Sequence, residues 1–181
     1  MLSLLFITSL GWAEQNQCTV FDRFVEDFIT DSGGMFDQAY FDQHVQITFR
    51  KNIAQEIIHP NAIAVCYPLT FPLKIQIDPE WWYRMGDYDH WSVLYHEIAH
   101  CGCGEDHPIE ASQEWFFDFL HHLNVQASHA PWLPDGCPKT LMYPIVVGQE
   151  CIYRHEDEYV KELFRNCQKV LVPDQIYRYR P

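Results

Sequence analysis

Positive charge is scarce in this chain: 12 Lys and Arg stand against 25 Asp and Glu, a formal net charge of −13. Nucleic-acid binders need a basic footprint to neutralise phosphates, so this balance argues against DNA and RNA as partners. It argues equally against an electrostatic anchor on anionic lipid. No apolar run reaches the roughly 18–20 residues that span a bilayer. Internal repeats and low-complexity tracts are missing as well, which leaves no repeat architecture to consider. What is abundant is apolar surface. Hydrophobic residues make up 48% and aromatics 15% of 181 residues, enough for one packed domain and too much for a disordered chain.

The N-terminal residues read differently from the rest. Leu2 to Leu10 is apolar, and Gly11-Trp12-Ala13 then gives way to polar Glu14-Gln15-Asn16-Gln17. This order resembles a secretory h-region with cleavage after Ala13, so residues 1–13 are expected to be a signal peptide and 14–181 the domain. The n-region has no Lys or Arg, and an apolar N-terminal strand or helix is the competing reading. Cys18 follows Asn16-Gln17 and not a small-residue lipobox, which disfavours a lipoprotein. Seven cysteines lie beyond the cleavage point: Cys18, Cys66, Cys101, Cys103, Cys137, Cys151 and Cys167. Six of them would suit three bridges in an exported domain, secreted or periplasmic. Spacing does not determine the connectivity. The expected pairs are Cys137 with Cys151 and Cys66 with Cys101; buried reduced thiols are the alternative.

Periodicity places the elements. Phe21, Phe24, Val25, Phe28 and Ile29 recur at helical spacing and predict a helix over Val20–Thr30, ended by Gly33-Gly34. Val45–Phe49 alternates as a half-buried strand does, and Asn61–Tyr67 reads as a second, more buried strand. Leu73–Asp78 alternates again between Pro72 and Pro79, which favours an edge strand. Asp87-Tyr88-Asp89 can cap a helix from about His90 to Cys101, stopped by Gly102 and Gly104. Further helices are expected over Ile109–Val125 and Glu156–Val170. The order of a helix, three strands and then helices predicts an α+β single domain.

The stretch that carries chemistry is Tyr95-His96-Glu97-Ile98-Ala99-His100. Histidines at i and i+4 lie one helical turn apart, so both imidazoles can reach one metal ion. Neutral imidazole is a good zinc ligand, and a helix fixes two bonds at once. Glu97 sits beside the first histidine, where it can act on a water without binding the metal. The pattern alone also fits a surface histidine pair on an ordinary amphipathic helix. His107 is the natural third ligand, because the glycines around Cys103 permit the turn that returns it to the first two.

With these residues in place the chain resembles the metzincin metallopeptidases, whose pattern is HExxHxxGxxH followed by a Met-turn. Here His96-Glu97-Ile98-Ala99-His100 leads to His107, and Thr140-Leu141-Met142-Tyr143-Pro144 resembles the Met-turn of matrix metalloproteases. The resemblance implies that Met142 lies beneath the metal and that Tyr143 and Pro144 form part of the S1′ wall. Pro108 after the third histidine resembles the serralysin branch. Six residues separate His100 from His107 where the family has five, and Cys103 stands at the usual glycine. HEIAHC, the longer spacer and Pro138-Lys139-Thr140-Leu141-Met142 are similar to small exported bacterial metzincin-like proteins. So are Ile75-Gln76-Ile77-Asp78 with Trp81-Trp82, and Tyr159 with Glu162-Leu163. Astacins and serralysins place a tyrosine two residues after the methionine; Pro144 stands there, so no tyrosine ligand is expected.

The resemblance implies a single metzincin-like α+β domain, with a small mixed sheet, an active-site helix and C-terminal helices. It also implies a zinc-dependent endopeptidase with one catalytic Zn2+, held by His96, His100 and His107, with Glu97 as general base. A peptide or protein is then the substrate, and strand 73–78 is the edge to which it would pair. Three other readings remain open. Glu110 or Glu114 would supply the third ligand in a gluzincin-like peptidase. Cys101 and Cys103 with the histidines would make a closed structural site. A non-catalytic zinc-binding envelope protein would keep the ligands without a productive cleft. His121, His122 and His129 read as surface residues, and Trp81, Trp82 and Trp91 as either cleft or core.

Overall fold

The apolar stripe of Phe21, Phe24, Val25 and Phe28 is buried along one side of helix α1 (Gly11–Asp31). The computed structural model describes residues 11–56, 62–105, 107, 132–142 and 146–170. Helix α1 is longer than the Val20–Thr30 segment predicted, and the chain turns where expected, at Gly33 and Gly34, with φ of 61° and 90°. Asp37 then caps α2 (Gln38–His44), accepting the Tyr40 N–H at 2.8 Å. The chain passes directly into β1 (Val45–Phe49). A short α3 (Ile53–Glu56), β2 (Ala64–Tyr67), β3 (Leu73–Ile77) and α4 (Pro79–Trp82) follow. The order continues with α5 (Asp87–Ile98) and ends with α6 (Gln149–Asn166). The fold is α+β, with helices around a mixed three-stranded sheet.

Strand β3 is the centre of that sheet, not its edge. The order is β1-β3-β2, with β1 parallel to β3 and β2 antiparallel to it. Both prolines that suggested an edge lie outside the ladder: Pro72 precedes the first strand residue and Pro79 opens α4, so neither removes a ladder donor. Leu73, Ile75 and Ile77 are buried accordingly. Strand β2, expected to be the more buried one, is one of the two outer strands of this sheet and only half-buried over most of its length.

Aromatic rings join α1 to α5 and the sheet. Phe28 meets Tyr95 edge-on at 5.1 Å, and Trp82 receives Phe21 and Phe24 at 5.1 and 5.8 Å. The Tyr95 hydroxyl donates to Asp31 at 2.6 Å, giving a buried ring a partner for its polar end. Trp82 and Trp91 therefore belong to the core, while Trp81 is half exposed. Burial of each such ring contributes on the order of 1.5–3 kcal/mol, so α5 is held firmly from behind.

Helix α5 begins at Asp87, three residues before the predicted start, and Asp89 accepts the Gly86 N–H at its N-terminus. At its other end it widens into a π turn (Ala99–Cys103). A π turn takes in one residue more than an α turn. Gly104 closes it with φ of 67°, and the Gly104 and Glu105 N–H groups both donate to the Ala99 carbonyl. Gly102 sits tightly for another reason. A Cβ there would meet the Phe36 ring at 3.3 Å, so a side chain would need that ring to give by a few tenths of an ångström. The carbonyls of Gly102 and Cys103 accept from Val170 and Gln168, so the segment after α6 completes the turn. Helix α6 starts earlier than predicted and carries a kink at His155. No helix among the described residues is long and apolar enough to cross a membrane. The helix predicted over 109–125 lies outside the described residues.

Three disulfides are present: Cys66–Cys101, Cys137–Cys151 and Cys103–Cys167. The first two are the expected pairs; the third ties the π turn to the segment after α6. Chain entropy sets their relative weight. Cys103–Cys167 spans 64 residues and Cys137–Cys151 spans 14. The first should be worth about 4 kcal/mol and the second about 3 kcal/mol. Denaturant unfolding of the two double-serine variants measures both; a larger loss for Cys137–Cys151 would show that native contacts, not loop length, set the order.

Candidate metal centre

Histidines four apart on one helix face the same way, and here His96 closes α5 while His100 lies in the π turn. Their Nε2 atoms stand 3.0 Å apart. The widened turn and Gly104 bring the chain back, and His107 places its own Nε2 3.0 Å from that of His96 and 3.1 Å from that of His100. Three ring nitrogens thus form a nearly equilateral triangle. The six-residue spacer is absorbed by the wider turn.

The opposite nitrogens explain why the rings hold this pose. His96 Nδ1 lies 2.9 Å from the Leu141 carbonyl, and His100 Nδ1 lies 2.6 Å from the Glu105 carbonyl. A carbonyl only accepts, so both Nδ1 atoms carry the proton and donate it. In neutral imidazoles this leaves Nε2 with a lone pair aimed into the triangle. Burial, reinforced by the neighbouring His100 and His107, pushes the His96 pKa down to about 3, which keeps that ring neutral.

Lone pairs facing one another at 3.0 Å repel unless a cation lies between them, and the donor set suits zinc. Four tetrahedral ligands at about 2.0–2.1 Å from an ion stand about 3.3 Å apart, close to the observed edges. Each anchored imidazole also has the carbonyl partner that metal-ligating histidines usually have. Among the described residues these three histidines form one group able to hold a metal ion, and three imidazoles suit zinc. A second group, Asp135 with Cys137 and His155, does not fit. Cys137 is bonded to Cys151, and His155 Nε2 is engaged by Asp135 at 2.7 Å.

Glu97 is buried on the helix face toward β2, where the Cys66 backbone N–H donates to its carboxylate. Burial raises its pKa to about 8, with the Cys66 N–H working in the opposite direction. A cation held by the adjacent histidines would draw it down again. Cys66 is also the disulfide partner of Cys101, so the strand that holds Glu97 is bonded to the turn that holds His100.

Met142 is buried, and it follows Leu141, which supplies the carbonyl to His96. Its N–H donates to Thr140 Oγ1 at 3.1 Å. Tyr143 and Pro144 lie outside the described residues, as do Glu110, Glu114, His121, His122 and His129. Sequence reasoning missed the Leu141 and Glu105 carbonyls. Backbone groups leave no mark in residue type, and only their places, one before Met142 and two before His107, hinted at them. Compared with protein-family models, curated proteins and solved structures, the chain matches none.

Proposed function

We propose that this chain is an exported zinc-dependent endopeptidase of metzincin type, with His96, His100 and His107 as ligands and Glu97 as general base. The observation that carries this reading is the triangle of three Nε2 atoms with edges of 3.0–3.1 Å. Its third corner is His107, which favours the metzincin ligand set over a glutamate from beyond the motif. Cys101 and Cys103 are consumed in disulfides, which removes them from any closed structural site. Three disulfides support export to an oxidising compartment.

Zinc, when bound, acidifies a water and polarises a carbonyl. The Leu141 and Glu105 carbonyls keep two imidazoles turned inward. Glu97 takes the proton of the attacking water and passes it to the leaving amine nitrogen. It lies buried beside the histidines, and a cation there would favour its ionised form, the one able to take a proton. A site that only stores zinc has no need of such a carboxylate. Strand β2 replaces β3 as the place for an extended substrate: among the described residues it has a strand on one side only, and it adjoins Glu97 through Cys66.

The purified protein is expected to hold one zinc per chain and to cleave denatured protein, with cleavage abolished by a chelator and restored by zinc. Stoichiometric zinc without cleavage of a broad peptide library would instead identify a zinc-binding protein.

A further inference from the structure

His96 is oriented by a carbonyl, and a carbonyl goes where its chain is held. Residues 137–142 lie outside any helix or strand; an isolated bridge to Trp132 and the Leu133 N–H hold only their first two residues, so the rest need another support. Helix α6 does so at three points. Cys151 is bonded to Cys137, the Tyr159 hydroxyl donates to the Pro138 carbonyl at 2.7 Å, and Glu162 Oε2 accepts from the Thr140 hydroxyl at 2.8 Å. Tyr159 and Glu162, three residues apart beyond the kink at His155, share one face of the helix, and Cys151 holds the segment from before the kink.

The last contact bears most directly on His96. Thr140 Oγ1 donates to Glu162 and accepts the Met142 N–H at 3.1 Å, so one hydroxyl brackets the peptide groups on both sides of Leu141. Thr140, Leu141 and Met142 are all buried, where such bonds are stronger than in water. The other Glu162 oxygen accepts from Asn166 at 3.3 Å, which steadies the carboxylate itself.

We propose that Thr140 and Glu162 are positioning residues of the metal centre: the α6 carboxylate fixes the Thr140 hydroxyl, the hydroxyl fixes the turn, and the turn aims the Leu141 carbonyl at His96 Nδ1. This rests on the zinc reading of the three histidines. Neither residue touches the metal; each acts through the ring that does.

The test uses the full, oxidised protein and reads zinc affinity by chelator competition, together with the visible spectrum of the Co2+-loaded form. Thr140→Val keeps the shape and removes the hydroxyl; it should lower zinc affinity about 10–100-fold and shift the cobalt bands. Thr140→Ser keeps the hydroxyl and should restore both. Glu162→Met should match Thr140→Val, Glu162→Gln should stay near wild type because an acceptor oxygen remains, and the double variant should be no worse than either single one. Thermal unfolding of each apoprotein separates aiming from folding, since loss of stability alone is not corrected by serine in the cobalt spectrum. Wild-type affinity in Thr140→Val and Glu162→Met would overturn the positioning role and leave the zinc site standing. A wild-type protein that takes up no zinc would overturn both.

Discussion

His107→Ala should strip the chain of its metal and leave no peptide cleavage. The two remaining imidazoles would still sit one turn apart, at the end of α5 and in the π turn, but a pair of neutral ligands holds zinc far more weakly than three. Loss of an outer hydrogen-bond partner alone costs about 10–100-fold in metal affinity, and loss of a direct ligand should exceed that. Metal content after gel filtration against a chelator measures it. The fold should survive, because three disulfides and the packing of α1 behind α5 do not depend on residue 107. Glu110→Ala and Glu114→Ala should keep their zinc. Retention of metal by His107→Ala, with loss from either glutamate variant, would transfer the site to the gluzincin class despite Met142.

The experiment is aimed at the joint that was hardest to read from sequence. His96, Glu97 and His100 were legible because their relation is local: a four-residue offset on a helix decides which way two rings point. His107 was legible as a candidate, but its approach depends on a π turn, and residue type alone does not mark where an α-helix will widen. Gly104 gave a true signal, since its positive φ closes the turn, whereas Gly102 lies inside the turn, close against the Phe36 ring. The misplaced sheet edge has a similar origin. Pro72 and Pro79 correctly marked the ends of β3, but strand order depends on contacts between distant segments, and prolines outside the ladder say nothing about neighbours. The Cys103–Cys167 bridge was hidden in the same way, joining residues that only the fold brings together. Thr140 and Glu162 were visible only as parts of two separate motifs; their hydrogen bond is what links the Met-turn resemblance to helix α6.

Glu97→Gln separates binding from chemistry. The amide has the size of the carboxylate, and its oxygen can still accept the Cys66 N–H, so local packing and the three histidines should be undisturbed. Zinc content should equal that of wild type. Turnover should fall by about 10²–10⁴-fold, the usual weight of a positioned proton acceptor, because the amide cannot take a proton from water. The substitution also has a signature in the apoprotein that needs no substrate. Burial raises the Glu97 pKa from 4.5 to about 8, so folding opposes its ionised form. That penalty is absent below pH 4.5, grows through the interval and is full above pH 8. Metal-free Glu97→Gln should therefore gain stability over metal-free wild type as pH rises through this window, as chemical denaturation can show. Undiminished hydrolysis by a variant with full zinc would remove Glu97 from the mechanism. Loss of zinc together with activity would instead make the carboxylate part of the metal's own support.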